Sequence, residues 1–520
     1  MIAYLKNFVK YFDLSKSIWL VFGLEIIVIL LAVFMIIPRE AVLFLTGFLA
    51  FYLLFSPIKQ AVIFFILSIP LFVALPITEN FDTMSNWRIL LGLLFLRICF
   101  IKFKNIKNWQ EFIKNINDKK LYIYVFAFFT VAALSLVNAE SMGYGARKIL
   151  FLANAIMIFF VIVNSEINAK KIQLSVIISL LISLAIGYAQ IIAVFFAPLF
   201  EFWQWWASRV IPIFYGKNLA NLLSYSNTWF SYYEKSLPTL RIFSIFPDSH
   251  SFALFSLIGL IPVTYFWIQK DAHKKLYASI GIFSLLSIIL SGSRGFWASA
   301  ILITVILVFI FIATKINPVR NFVFNGIKKY LQYIQLKRYF IILLVFFMLF
   351  PVGSLILSGS RIGNATNKGE YEELTLKRIK SIFNFEETSN KGRMEIWNAT
   401  LNSFVRYPLL GVGIGNYPVV IGEPLESGRR GASAHNLYFD IAAEMGILGL
   451  IVFLLILWEI FKKARTQIAV ANHIFIFYFL WMLLYSLFDV VLLNDKVLLF
   501  FIIQIAVLYL DANQYKNTTN

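Results

Sequence analysis

Long apolar runs separated by short polar breaks fill most of the 520-residue chain. A run of about 17–25 apolar residues is the length a helix needs to cross a hydrocarbon core about 30 Å thick. Fourteen candidate spans are predicted, near residues 18–37, 41–55, 60–77, 88–101, 121–137, 147–163, 172–197, 250–268, 276–291, 295–313, 339–357, 437–460, 470–488 and 496–511. The second, fourth and ninth are short enough to be half-spans or tilted partners. Pro70 and Pro76 are expected to kink the third, which membrane bundles tolerate. The pattern predicts an all-α polytopic membrane protein with about 12–14 transmembrane helices. A large extracytoplasmic loop precedes the last three of them.

Three regions follow from this pattern. Residues 1–357 form an N-terminal transmembrane bundle that carries an aromatic outer segment at 198–247. Residues 358–434 form an extracytoplasmic loop with ten Lys/Arg and eight Asp/Glu. Residues 435–520 supply the last helices and a short cytoplasmic tail. Ser17–Ile37 is expected to be an uncleaved first helix, since no small-residue cleavage pattern follows it.

Composition agrees with the pattern. Hydrophobic residues make up 60% of the chain, charged residues only 14%, and the mean hydropathy is +0.79. The formal net charge of +19 is distributed by side. Lys6, Lys10, Lys16, Lys59, Lys102, Lys104, Lys170, Lys171, Lys274, Lys275, Lys337, Arg338, Lys462 and Lys463 fall in alternate connections. The intervening short loops at 38–40, 77–87, 138–147 and 489–495 are poor in Lys and Arg. By the positive-inside rule this is an N-in, C-in topology, with the basic residues facing anionic headgroups. Nucleic acid is therefore not an expected partner; membrane lipids are. The single cysteine, Cys99, excludes an internal disulfide and a thiolate metal cluster.

Topology then sorts the chemistry. His273 and His473 fall inside, whereas His250 and His435 fall outside, each at the entrance to a span. Histidine is the side chain best suited to move a proton near neutral pH. His435 sits in Ser433-Ala434-His435-Asn436, and Glu444, Gly446 and Gly449 follow it. Arg294 lies in the outer hairpin Ser291–Gly295, where an arginine in an apolar setting is expensive unless it meets an anion. Arg393 opens a helix predicted over 392–405, with Met394, Trp397, Leu401, Phe404 and Val405 on one face. Arg241 precedes FSIFPDSH, which re-enters the membrane. Converging guanidinium groups would clamp a diphosphate in bidentate fashion. Pro408 and the glycines of GVGIGNYP predict a tight turn. Trp203, Trp205, Trp206, Trp229, Tyr232 and Tyr233 suit a membrane interface or a stacking platform for sugar rings. No carboxylate or histidine cluster at ligand spacing is expected outside, and no metal or other cofactor is expected.

SGSRG, KGRMEIWNATLNSFVRYPLLGVGIGNYP and AHNLYFDIAAEMGILGL together resemble the O-antigen ligase/polymerase superfamily of bacterial envelope enzymes. RIFSIFPDSH is similar to that family's Arg…Phe…Pro-Asn segment, with Asp248 where an Asn is usual. The resemblance implies a metal-independent, inverting membrane glycosyltransferase of the GT-C type. It implies an active site on the periplasmic face of the bacterial inner membrane. The implied donor is a glycan on undecaprenyl diphosphate, and the implied acceptor is a glycan or lipid A core. His435, Arg393 and Arg294 would be catalytic; Arg241, Glu444, Asn436 and Trp397 would bind substrate. A lipid-linked oligosaccharide flippase is the alternative reading.

Overall fold

The computed structural model describes residues 14–79, 81–103, 119–224, 228–231, 238–269, 273–315, 336–359, 388–423, 425, 432–466 and 470–510. Much of the predicted outer loop, and the basic runs 104–118 and 316–335, lie outside the described residues. All fourteen predicted spans coincide with helices. They are α1 Lys16–Val33, α2 Ala41–Phe55, α3 Ile58–Ser68, α4 Trp87–Lys102, α5 Lys119–Ser135, α6 Met142–Asn164 and α7 Ala169–Phe196. After the short helices α8 Leu199–Trp205, α9 Ile211–Tyr215 and α10 Lys217–Ser224 come α11 Ser249–Ile268, α12 Lys274–Leu290, α13 Arg294–Lys315 and α14 Leu336–Gly359. The helix α15 Thr388–Arg406 precedes α16 Leu437–Thr466, α17 Val470–Tyr485 and α18 Asp495–Leu508. Among the described residues, eight of these (α1, α5, α6, α7, α11, α13, α14 and α16) are long and apolar enough to cross a membrane.

The outward surface of the bundle is apolar. Leu20, Phe44, Phe126, Val305 and Leu355 are well exposed, a distribution that water would penalise and lipid accepts. α11 is the central helix, enclosed by α7, α12, α17 and α18. Pro262 lies inside it without interrupting it.

Three expectations are corrected here. The third span ends earlier than residue 77: α3 passes into a 3-10 turn at Ile69–Leu71, after which the chain is extended. Pro70 has no N–H to continue the ladder, and Asn86 takes over by accepting from the Val73 N–H at 3.1 Å. Trp229 is not an interfacial anchor. It is fully buried, stacks on Phe243 at 4.6 Å, and donates from Nε1 to the Pro247 carbonyl. Trp206 is also buried, inside a π-turn at Trp206–Val210, whereas Trp205 stays partly exposed. Tyr232 and Tyr233 lie outside the described residues. β1 Phe230–Ser231 and β2 Thr239–Leu240 form one short antiparallel ribbon.

The helix predicted over 392–405 exists, but its inward face is rotated from the predicted one. Arg393, Ile396, Trp397, Thr400 and Ser403 turn inward, while Met394, Leu401 and Val405 are exposed. Polar bonds decide this orientation. Trp397 Nε1 donates to the Ala434 carbonyl at 2.9 Å, and the Thr400 and Tyr417 hydroxyls meet at 2.6 Å.

Candidate active site

The lip at one end of the bundle is built around a break in α16. Gly446 has φ +64° and ψ −167° inside an otherwise helical segment. The turn after Pro408 docks into the gap: the Val412 N–H donates to the Ala443 carbonyl, Gly413 N–H to Glu444, and Ile447 N–H to Pro408. These bonds satisfy backbone groups that a broken helix would otherwise leave orphaned. Gly446 is obligatory, because a Cβ there would lie 2.2 Å from the Leu409 carbonyl carbon. Asn138 of the α5–α6 connection and Ser135 at the end of α5 clip the turn from the other side, at the Gly411 carbonyl and the Ile414 N–H.

This frame sets the entry to α16. The Asn436 side chain caps the helix, accepting from the Tyr438 and Phe439 N–H groups at 3.0 and 3.2 Å. The Leu437 N–H donates to the Ser486 carbonyl, tying the start of α16 to the end of α17. His435, one residue before the cap, is held at φ +48°. A left-handed non-glycine is uncommon and clusters at functional sites. Its Nδ1 is buried without a hydrogen-bond partner.

Asp489, in the α17–α18 connection, is the electrostatic centre of the lip. Its Oδ2 lies 2.5 Å from His250 Nδ1, and Oδ1 accepts from the Val490 N–H. Tyr485 OH reaches the same carboxylate at 3.5 Å and Ser293 Oγ at 3.3 Å. Burial acts to raise the Asp489 pKa, but His250, His435 and Arg393 outweigh it and bring the group down to about 2. The carboxylate is thus ionised at any working pH. Burial pushes the His435 pKa down, with Arg393 and His250 acting the same way and Asp489 opposing them. The imidazole is therefore neutral near pH 7.

The arginines approach from three elements. Arg241 follows β2, and its side chain lies across Gly292, whose Cβ position would be 3.2 Å from Arg241 Nε. Arg294 opens α13, half-buried, between Ser293, which meets Tyr485, and Gly295, which is pressed against Phe488. Phe296 stacks on the Tyr485 ring at 3.8 Å. Arg393 projects from the first turns of α15, where its charge acts on both His435 and Asp489. His435, Arg241, Arg294 and Arg393 therefore share one end of the bundle with His250 and Asp489.

The remaining expected site residues have other settings. Trp397 and Asn436 hold the chain on either side of His435. Glu444 is buried within α16, in a 2.6 Å ion pair with Lys148 of α6. Lys148 is also 3.7 Å from Asp440, whose Oδ1 accepts from the Ala434 N–H. Asp248 caps α11, accepting from the Ser251 N–H and hydroxyl at 2.6 Å each. Aspartate and asparagine serve equally well as caps.

Asp489, Tyr485 and Lys148 were not singled out from the sequence. One signal was available for Lys148: a lysine within an apolar run needs a counter-charge, and Asp440 and Glu444 lie in another such run. Among the described residues, no group of three or more His, Cys, Asp or Glu side chains is arranged to hold a metal ion.

Residues 279–454, roughly a third of the 520, match the family model described as O-antigen ligase. That stretch contains the Arg294 hairpin, Arg393, the Gly446 break and His435. No curated protein matches the chain.

Proposed function

Proceeding from membership of the O-antigen ligase superfamily, an O-antigen ligase-type membrane enzyme of bacteria, we propose that this chain moves a glycan from undecaprenyl diphosphate to a sugar hydroxyl. The observation that carries the reading is a neutral, half-buried imidazole whose Nδ1 is buried and unpartnered, at the bundle end that also gathers three arginines. The acceptor, a glycan or lipid A core, presents a hydroxyl whose oxygen attacks the anomeric carbon from the face opposite the diphosphate. The bond from that carbon to the diphosphate oxygen breaks, and its electron pair stays with the leaving group. The hydroxyl proton passes to His435, and the configuration inverts. Arg241, Arg294 and Arg393 meet the charge that develops on the diphosphate, the kind of preorganised stabilisation that supplies much of an enzyme's rate enhancement. The imidazolium that forms at His435 is favoured by the Asp489 charge. Trp397 and Asn436 position the His435 segment, and Glu444 steadies α16 through Lys148. The site faces the periplasm in this reading.

A second assignment of the base is favoured by one observation, the 2.5 Å contact between His250 and Asp489. A histidine oriented by a carboxylate is also competent to take a proton. Single-turnover rates and donor binding for purified variants separate the two. His435→Ala should slow transfer by roughly 10²–10⁴-fold with donor affinity nearly unchanged. Arg294→Ala and Arg393→Ala should weaken donor binding by about 1.5–3 kcal/mol each, and lysine should rescue only in part. If His250→Ala abolishes transfer while His435→Ala loses donor affinity alone, the base is His250.

A further inference from the structure

Arg241 heads an irregular segment that joins β2 to α11. Residues 242–246 of this segment are buried although they belong to no helix or strand. Backbone in that state must find partners for its own N–H and C=O groups. Gln190 supplies three of them. It is fully buried in α7, beside the apolar run that closes that helix. Its Oε1 accepts from the Ser244 N–H at 2.8 Å and from the Phe243 N–H at 3.3 Å. Its Nε2 donates to the Ser244 carbonyl at 2.8 Å. The Ser244 hydroxyl adds a bond to the Ser183 carbonyl, also in α7. One turn before Gln190, on the same face, Gly187 lets the segment come close. A Cβ there would lie 2.9 Å from Ile242 Cδ1. Ser244 is held at φ +52°, a conformation that persists in a residue with a Cβ only where its surroundings over-determine it.

We infer that Gln190 is a positioning residue for Arg241, an assignment that rests on the function proposed above. The chemistry of the side chain selects it. A carboxylate has no donor and a lysine has no acceptor, whereas a carboxamide has both and carries no charge. The segment is held from two sides. On one, Gln190 fixes the turn at Ser244. On the other, the Ile242 N–H donates to the Leu290 carbonyl at the end of α12, at 3.1 Å. The Arg241 side chain then crosses Gly292, in the hairpin that leads to Arg294. Residues 241 and 242 therefore cannot shift along α12 without pulling Ser244 off Gln190. The amide in α7 thus sets how far the Arg241 guanidinium reaches past the α12–α13 hairpin. Tyr215 of α9 donates to the next carbonyl, Ile245, at 2.9 Å, so the turn is closed on its far side as well.

The test is a pair of double-mutant cycles on the full-length enzyme in nanodiscs, with undecaprenyl diphosphate as the binding probe. Gln190→Met, close in size but without the amide, should weaken binding about tenfold. Gln190→Asn, one methylene short, should fall between it and the unaltered protein, and serves in the same cycles if Gln190→Met does not fold. Arg241→Ala should weaken binding too, and adding Gln190→Met to it should weaken binding no further, because residues that act as a unit are not additive. Added to Arg393→Ala, on a separate element, Gln190→Met should cost its full factor. Hydrogen exchange of the peptide over 242–247 should quicken in Gln190→Met, and the acceptor KM should stay unchanged. Equal losses in both arginine backgrounds overturn the assignment, as does a folded Gln190→Met protein that binds the probe normally. If Arg241→Ala binds the probe normally while Gln190→Met still quickens exchange, the diphosphate reading falls and the anchoring of the segment stands.

Discussion

At the level of single residues, the lip works by setting two ionisation states in opposite senses. Buried Asp489 stays a carboxylate because cationic and imidazole groups surround it, and half-buried His435 stays neutral because desolvation and Arg393 both oppose a proton on it. The pH profile follows from that direction. The base form of His435 exists above its own pKa, which lies below the ordinary 6.5. Thus kcat/KM should rise with pH at some value under 6.5 and remain level above it. Asp489 holds the His435 pKa up, so Asp489→Asn should move the rising limb to lower pH and depress the plateau. A limb above 6.5, or one that persists in His435→Ala, would remove His435 from the role of base. Lys148 offers a second contrast, read by thermal unfolding in detergent. Lys148→Met leaves Asp440 and Glu444 side by side without a counter-ion, and breaking a buried pair in this way costs about 3–5 kcal/mol. Glu444→Gln should cost less, because Asp440 still balances Lys148. The reverse order would argue that Glu444 has work other than this pair.

At the level of elements, the interrupted helix α16 sets the position of everything at the lip. Its break receives the Pro408–Asn416 turn, and the turn in turn is clipped to the α5–α6 connection. Gly446→Ala places a side chain where φ is +64° and where the Leu409 carbonyl carbon would be 2.2 Å away. The left-handed conformation alone costs of order 1–3 kcal/mol for a residue with a Cβ, and the clash adds to it. The expected outcome is a lower melting temperature together with loss of transfer. A variant that melts normally and stays active would mean that the break is dispensable. α15 shows how an element can be foreseen while its orientation is not. Apolar clustering picked out Met394, Leu401 and Val405 as the packing face, yet these are exposed. Specific polar bonds from Trp397 and Thr400 outweigh a diffuse apolar preference when the partner surface is itself polar.

At the level of the whole molecule, the Lys/Arg alternation and the helix ends agree. The connections that carry His250, Arg294, His435 and Asp489 all lie at one end of the bundle. The Lys102–Glu166 pair joins two connections expected on the other side. Impermeant maleimide labelling in a Cys99→Ser background measures the orientation. Cysteine at the exposed position of Lys391 should react in intact spheroplasts, and cysteine at exposed Lys170 should not. The opposite result would turn the site to the cytoplasm and defeat the proposed donor.

The sequence by itself determined the helices, their approximate ends, and which candidate groups share an end of the bundle. Each of these depends on local quantities: the length of an apolar run, a proline, the lysines in a short connection. Only the tertiary structure decided which groups meet. His250 and Asp489 are 239 positions apart, and Lys148 and Glu444 are 296 apart. Nothing in a local pattern links such pairs. The left-handed His435 and the rotation of α15 were likewise illegible, because backbone strain and helix azimuth are set by the surfaces that close around them. Helix formation is governed by neighbours in the chain, whereas the pairing of buried charges is governed by which helices the bundle brings side by side.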